Sequence, residues 1–172
     1  MGEKDLDESL GALLEAAGST FSLLEDLLAW FSSQRSSLIF RPTAMALSPL
    51  VAQAFQAVLP QAVAKGIGLE MRMEEACPVY ADEDMLATIL RNLVSNGVKY
   101  SHRGGKVLVE ASAGPQGTRI AVVDQGLGMD EATRERLFDP TVLRSRPGTA
   151  GEKGTGLGLQ VVKDFVERHG GK

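Results

Sequence analysis

Three polar residues in the middle of the chain could hold a metal ion together with a phosphate group. Asn92, Asn96 and Lys99 are four and three residues apart, so a helix would place them on one face. Amide oxygens suit Mg²⁺, which keeps most of its waters and needs only one or two protein ligands, and an ammonium group suits phosphate oxygens. The same spacing also fits a polar stripe that faces solvent, and the spacing alone favours that plainer interpretation.

A second segment, Asp124-Gln-Gly126-Leu-Gly128-Met-Asp130, combines a carboxylate with two glycines. It follows an alternating run of residues that predicts a strand ending at Asp124. An aspartate there can accept a hydrogen bond from the exocyclic amine of adenine, and glycines let the backbone come close to a base. A glycine turn between a strand and a helix is the alternative. An EF-hand calcium loop is excluded, because Gly126 and Gly128 would occupy two of its ligand positions.

A third segment, Lys153-Gly-Thr-Gly-Leu-Gly158, opens the last predicted helix. Glycines before a helix leave N–H groups unpaired near the positive end of the helix dipole, where an anion is favoured. The order of the glycines differs from that of a Walker A loop and from that of the dinucleotide-binding fingerprint. Taken alone, the segment is therefore a weak signal of phosphate binding.

The fourth segment, Leu137-Phe138-Asp139-Pro140, places an aromatic residue at the end of a predicted helix. It leads into a loop over residues 139–153 that is rich in glycine, proline and arginine. A connection of this length without its own secondary structure suggests a function.

Helices and strands alternate around these segments. We expect Ser48 to cap the second helix and Gly66 to end it. The order of elements indicates helices layered on one face of a mixed or antiparallel sheet, which is an α+β fold. The hydrophobic patterns predict helices over residues 5–36, 48–65, 82–100, 130–137 and 156–169, an extended piece at 37–41, and strands over 67–73, 79–80, 106–112 and 118–124.

The composition excludes several classes of protein. Of the 172 residues, 44% are hydrophobic and 23% are charged, which is typical of a folded domain with an appendage. The net charge of −4 argues against a dedicated nucleic-acid binder. A single cysteine, Cys77, excludes an intramolecular disulfide framework. No segment approaches the length of an apolar membrane span, and the acidic N-terminus is no secretion signal, so we expect a cytoplasmic segment without membrane contact.

The first predicted helix carries a long apolar stripe. Apolar residues recur at spacings of three or four from Leu6 to Phe31 in a heptad-like pattern. A small domain cannot cover a stripe of this length alone, so we expect a homodimer formed through this helix. A core helix of the same chain is the alternative.

Taken in order and at these separations, the four segments resemble the four ATP-binding boxes of sensor histidine kinases, which belong to the GHKL superfamily. The resemblance covers residues 21–172. It implies a two-layer α/β sandwich preceded by a long N-terminal helix. Residues 1–40 would be part of the family's dimerisation region, and residues 41–172 would be the catalytic ATP-binding domain without the family's last strands.

The resemblance also implies ATP and Mg²⁺ as cofactors. Asn96 would ligate the metal, while Asn92 and Lys99 would hold the phosphates. Tyr100 would lie beside the base or ribose, and Asp124 would bind the adenine amine. Residues 139–153 would form a lid over the nucleotide. The remaining residues that the resemblance places at the nucleotide are Gly126, Gly128, Phe138, Lys153, Gly154, Thr155, Gly156, Leu157 and Gly158, with Arg144 and Arg146 as weaker candidates for phosphate contact.

The residue at position 92 separates two reactions within the superfamily. Its ATPases resemble one another in placing a glutamate four residues before the metal-binding asparagine, where it activates water. Here that residue is Asn92, and an amide cannot act as a general base near neutral pH. This favours transfer of phosphate to a histidine, which brings its own nucleophile and needs mainly positioning and charge neutralisation.

The phosphate acceptor that the resemblance implies is not in this chain. Neither His102 nor His169 lies in a helix that resembles the family's acceptor helix. The implied partners are therefore the acceptor-histidine helix of a parent kinase and the receiver domain of a response regulator. The non-enzymatic alternative is a nucleotide-gated interaction module, which binds ATP without transferring phosphate.

Overall fold

The computed structural model describes residues 10, 13, 24, 39–73, 77–115, 117–139, 146–152 and 154–172. Helices and strands follow one another in these residues largely as predicted. They are β1 (Thr43–Ala46), α1 (Ser48–Lys65), β2 (Gly68–Arg72), β3 (Pro78–Ala81), α2 (Glu83–Tyr100), β4 (Lys106–Gly114), β5 (Gly117–Asp124), α3 (Glu131–Glu135) and α4 (Gly158–Arg168).

The strands form a mixed arrangement. β4 lies between β2, to which it is parallel, and β5, to which it is antiparallel. β1 and β3 form a separate antiparallel pair, and the Thr118 hydroxyl of β5 donates a hydrogen bond to the Pro78 carbonyl of β3 at 3.1 Å. In the β4–β5 hairpin Val107 lies opposite Asp124. Asp124, the last residue of β5, therefore lies beside the first residues of β4.

The helix α2 lies at the centre of the packing. On one side its buried Leu90, Val94 and Val98 share a hydrophobic cluster with α1 and with Val107 and Val109 of β4. On another side α2 packs against α4 in a second cluster, which contains Met85, Ile89, Val161, Val162 and Phe165. Because two faces of α2 are buried in this way, its position is fixed from both sides.

One strand was not predicted and one local prediction is wrong. β1 follows the predicted extended piece at 37–41, of which residues 37 and 38 lie outside the described residues. The residue before α1 is Leu47, so Ser48 is the first helical residue and caps nothing. Leu47 is fully buried and its N–H donates to the Cys77 carbonyl at 3.2 Å, so tertiary burial outweighs the preference of serine for the cap. Gly66 ends α1 with φ of 66°, as predicted.

Most of the predicted N-terminal helix lies outside the described residues. Leu10, Leu13 and Leu24 are described, and all three are helical with exposed side chains. The helix over 5–36 and the homodimer formed through it stay predictions, as does the division of the chain near residue 40. None of the helices in the described ranges combines the length and the apolar character needed to cross a bilayer.

Candidate functional site

The sequence of α2 explains why this helix forms and where its polar face lies. The Asp82 carboxylate caps the helix by accepting a hydrogen bond from the Met85 N–H at 3.2 Å. Acidic residues occupy the first turn and Lys99 the last turn, and both placements favour the helix dipole. Asn92, Asn96 and Lys99 belong to neither hydrophobic cluster.

Asn92 joins the first predicted segment to the third. Its Nδ2 donates to the Thr88 carbonyl at 3.0 Å. A Cβ atom added to Gly158 would lie 2.3 Å from the Asn92 Oδ1. The first residue of α4 therefore lies so close to Asn92 that a side chain there would overlap the amide. Asn96, one turn further along α2, is half-buried, and its side chain makes no hydrogen bond within the described part of the chain. Its amide oxygen is chemically suited to a hard cation such as Mg²⁺.

The C-terminal end of α2 brings together the cation and the aromatic residue predicted from sequence. Lys99 is buried, and its ammonium lies 4.8 Å from the centroid of the Tyr100 ring, within the range of a cation–π contact. The Tyr100 hydroxyl donates to the Arg146 carbonyl at 3.2 Å. This hydrogen bond connects α2 to the middle of the loop that precedes α4.

The second predicted segment packs against the same end of α2. The Leu127 N–H donates to the Tyr100 carbonyl at 3.2 Å, and Ser101 forms an isolated antiparallel bridge with Gly126. A Cβ atom added to Gly126 would lie 2.3 Å from the Tyr100 oxygen and 2.7 Å from the Asp124 Oδ1. The close approach of Gly126 therefore sets the position of the exposed Asp124 carboxylate.

Replacing Gly126 with alanine should destabilise the domain by about 1–3 kcal/mol, because the new methyl group overlaps a backbone oxygen that cannot rotate away. Thermal unfolding measures this loss. The matched control is Gly114→Ala, where the added Cβ would meet its nearest atom at an ordinary 3.6 Å. Equal unfolding temperatures for the two variants would show that the junction of α2 and residue 126 is looser than described.

The third segment leads into α4. The Thr155 hydroxyl accepts a hydrogen bond from the Leu157 N–H at 3.2 Å, and Gly156 has φ of 77°, which favours glycine. Helical geometry leaves the N–H groups of the first residues of α4 without acceptors inside the helix. Gly154 is exposed, and Gly128 of the second segment has φ of 63°.

The site residues predicted in and beside the loop make fewer described contacts with α2 than the other predicted site residues. Phe138 is 41% exposed after α3, and none of the described hydrogen bonds or ring contacts joins it to α2. The Arg146 guanidinium donates to the Thr133 hydroxyl at 3.0 Å and lies 3.9 Å from Asp130, so it is directed toward α3. Hydrogen bonds from the Thr133 side chain and backbone lower the pKa of Asp130, which caps α3. Arg144 and Lys153 lie outside the described residues.

Sequence reasoning missed the serine that follows α2. Ser101 is fully buried, and its Oγ is the one buried side-chain polar atom without a partner among the residues that the structure describes. Replacing Ser101 with alanine should therefore leave stability unchanged or raise it by about 1 kcal/mol, since an unpaired buried hydroxyl is unfavourable. Chemical denaturation measures the effect. A loss of more than about 1 kcal/mol would show that a bound water or another group satisfies the hydroxyl.

The structure also has a groove of about 280 Å³ between α1 and α2, lined by Leu50, Ala54, Ala87 and Arg91 among others. None of the residues predicted from sequence lines it. The contacts among those residues instead converge on the polar face and the C-terminal end of α2.

A family model described as "Histidine kinase-, DNA gyrase B-, and HSP90-like ATPase" matches residues 81–172, just over half of the chain. The chain belongs to this family. The match begins immediately before α2 and includes all four predicted segments. The GHKL fold inferred from the motifs is thereby confirmed.

Relatives of the chain within this family are sensor kinases. The histidine-protein kinase BaeS of Escherichia coli is 24% identical over 165 residues, which are 96% of this chain and 35% of BaeS. The sensory kinase SasA of Prochlorococcus marinus is 32% identical over 154 residues, which are 88% of this chain and 40% of SasA. The chain spans only about a third to two fifths of the length of these relatives.

A solved structure of full-length ShkA in complex with AMPPNP is also similar. Its TM-score is 0.75 at 29% sequence identity, and the match covers 95% of this chain and 34% of ShkA. This likeness supports the histidine kinase form of the family fold, and it extends over the residues that place the polar face of α2.

Proposed function

We propose that this chain is the ATP-binding catalytic part of a cytoplasmic sensor histidine kinase. It transfers the γ-phosphate of Mg²⁺-bound ATP to a histidine on a separate acceptor helix. The observation that carries the proposal is the convergence of three segments on α2. Gly158 meets Asn92, Gly126 meets the Tyr100 carbonyl, and Arg146 meets the Tyr100 hydroxyl.

Each residue has a role that its position supports. Asp124 accepts a hydrogen bond from the adenine amine, beside the glycines at 126 and 128, and Tyr100 lies along the base or ribose. Asn92, Lys99 and the glycine-rich start of α4 hold the phosphates, because unpaired N–H groups and cations favour anions. Asn96 ligates Mg²⁺, which when bound neutralises charge on the phosphate oxygens. Lys153 in the loop supplements this charge, whereas the Arg146 guanidinium is directed toward Thr133 and Asp130.

Transfer to histidine is favoured over hydrolysis of ATP. The Asn92 amide donates to the Thr88 carbonyl, and it cannot take a proton from water near neutral pH. An acceptor histidine needs no such base. Its unprotonated ring nitrogen forms a bond to the γ-phosphorus as the bond to the ADP oxygen breaks, and the proton on its other nitrogen is released afterwards. The receiver domain of a response regulator then takes the phosphate, and the N-terminal helix forms the homodimer.

Calorimetric titration with ATP tests the nucleotide site, with and without Mg²⁺ and with GTP as the control. We expect binding that depends on Mg²⁺ and prefers ATP, because guanine presents a carbonyl oxygen where adenine presents its amine to Asp124. An added acceptor-helix protein then tests phosphate transfer. ATP binding without transfer would favour the nucleotide-gated interaction module, and absence of binding would contradict both.

A further inference from the structure

A buried lysine lies next to the site, and the proposed reaction does not use it. Lys65, in the last turn of α1, is 5% exposed. Its Nζ donates to the carbonyls of Val98 and Lys99 at 2.7 and 2.8 Å and to the Glu152 Oε1 at 3.0 Å. An ammonium group has three protons, and burial is unfavourable unless each has an acceptor. Here each proton has one, so the contact is fully formed.

The partner carboxylate belongs to a short folded segment, residues 146–152. The Glu152 Oε2 accepts a hydrogen bond from the Ala150 N–H at 2.8 Å, and the Gly148 N–H donates to the Glu152 carbonyl at 2.9 Å. A Cβ atom added to Gly148 would lie 2.3 Å from the Glu152 Oε2 and 2.8 Å from the Lys99 oxygen. The segment is therefore closed on itself and packed directly on α2.

Thr149 fixes the same segment to the last turn of α2. Its N–H donates to the Lys99 carbonyl at 3.1 Å, and its hydroxyl donates to the Ser101 carbonyl at 2.6 Å. The last carbonyls of a helix receive no hydrogen bond from N–H groups of the same helix. Lys65 and Thr149 supply the missing donors to the carbonyls of Val98 and Lys99. The Lys99 carbonyl thus accepts from Lys65 and from Thr149 at once.

The charge state of Glu152 is consistent with this contact. Burial raises the pKa of its carboxyl, but hydrogen bonds from its own N–H, from Lys65 and from Ala150 outweigh burial and hold the pKa below its ordinary value. A carboxyl with a lowered pKa contributes its full stabilisation at neutral pH and loses it only as the pH falls through the lowered value. The Glu152 carboxylate is therefore ionised at neutral pH.

We propose that Lys65 and Glu152 are positioning residues for nucleotide binding. By holding residues 146–152 on the end of α2, they fix the backbone of Lys99 and so the ammonium that contacts phosphate. The inference rests on the proposed function, and it adds two residues from distant parts of the chain that do not themselves touch ATP. It predicts that the contact is needed for binding the phosphates and not for binding the adenosine part.

The test uses Glu152→Gln and Thr149→Val, which keep side-chain size and remove a charge or a hydroxyl. Glu70→Gln is the matched control, because Glu70 pairs with Lys106 on the exposed side of the sheet, away from α2. Amide hydrogen exchange of residues 146–152 is measured in nucleotide-free protein. Dissociation constants are measured separately for ATP by calorimetry and for adenosine by chemical-shift titration.

We expect both variants to speed exchange at Gly148 and Thr149 and to weaken ATP binding about 3–10-fold, the effect of losing one hydrogen bond or charged pair. Adenosine binding and the control variant should change less than about twofold. Unchanged exchange would overturn the contact. Faster exchange with unchanged ATP affinity, or with equal losses for ATP and adenosine, would overturn the positioning role. Failure of the wild-type chain to bind ATP would instead contradict the proposed function, which exchange in the nucleotide-free protein does not test.

Discussion

Asp124→Asn is expected to weaken ATP binding about 10–100-fold, because a hydrogen bond to a charged acceptor contributes roughly 1.5–3 kcal/mol. The carboxylate is exposed at the end of β5, and the close packing of Gly126 on the Tyr100 backbone determines where it lies. An asparagine amide has a similar shape, but it has no charge and can present N–H groups to the adenine amine. Calorimetric titration of the variant with Mg²⁺ and ATP measures the loss.

The preference for ATP over GTP gives a second measurement of the same role. Because the carboxylate attracts the adenine amine and repels the guanine carbonyl, the asparagine variant should discriminate less between the two nucleotides. Asp84→Asn is a suitable control, since it removes the same charge from the exposed first turn of α2. ATP affinity that is equal in the wild type and the Asp124 variant would show that another group binds the base.

Local sequence patterns were sufficient to predict α2 and the strand that ends at Asp124. The spacing of Asn92, Asn96 and Lys99 determines a shared face as soon as the segment is helical, and Asp82 supplies the cap that starts the helix. The alternation of residues 118–124 likewise predicts β5, because successive side chains of a strand point to opposite faces. The helical spacing and the strand alternation both involve residues that are close together in the sequence, so they can be recognised without knowing the tertiary structure.

Long-range contacts were not predictable in this way. β1 has only four residues, and it is formed by pairing with β3 more than thirty residues later, so no periodic pattern indicates it. The buried Lys65 and its partner Glu152 are 87 residues apart. A lysine in the last turn of a helix usually indicates a favourable interaction with the dipole of that same helix. In this fold the Lys65 ammonium instead donates hydrogen bonds to carbonyls in the last turn of α2.

The roles of the site residues needed more than geometry. Spacing alone left a solvent-facing polar stripe open for Asn92, Asn96 and Lys99, and a glycine turn open for residues 124–130. The resemblance to kinases supplied the nucleotide interpretation, and the family match covers those residues. The contacts then add what neither could supply, namely that Gly126 and Gly158 are at positions where a side chain would overlap Tyr100 or Asn92.

Replacing Asn96 with alanine should remove the dependence of ATP binding on Mg²⁺. The amide is half-buried on the polar face of α2, makes no hydrogen bond within the described ranges, and offers the oxygen ligand that Mg²⁺ prefers. The ratio of dissociation constants measured without and with Mg²⁺ should fall to about one in the variant. Phosphate transfer to an added acceptor helix should fall about 100-fold or more, since the metal supplies several kcal/mol of charge stabilisation.

Gln56→Ala is the control for this change, because it removes an amide of similar chemistry from the exposed side of α1. It should leave the Mg²⁺ ratio at its wild-type value. If Mg²⁺ strengthens ATP binding equally in the wild type and in Asn96→Ala, the protein ligand of the metal is a different residue. Asn92 is then the nearest amide on the same face, but its Nδ2 already donates to the Thr88 carbonyl and its oxygen lies against the start of α4. A metal bound through that oxygen would therefore lie in the space next to the start of α4.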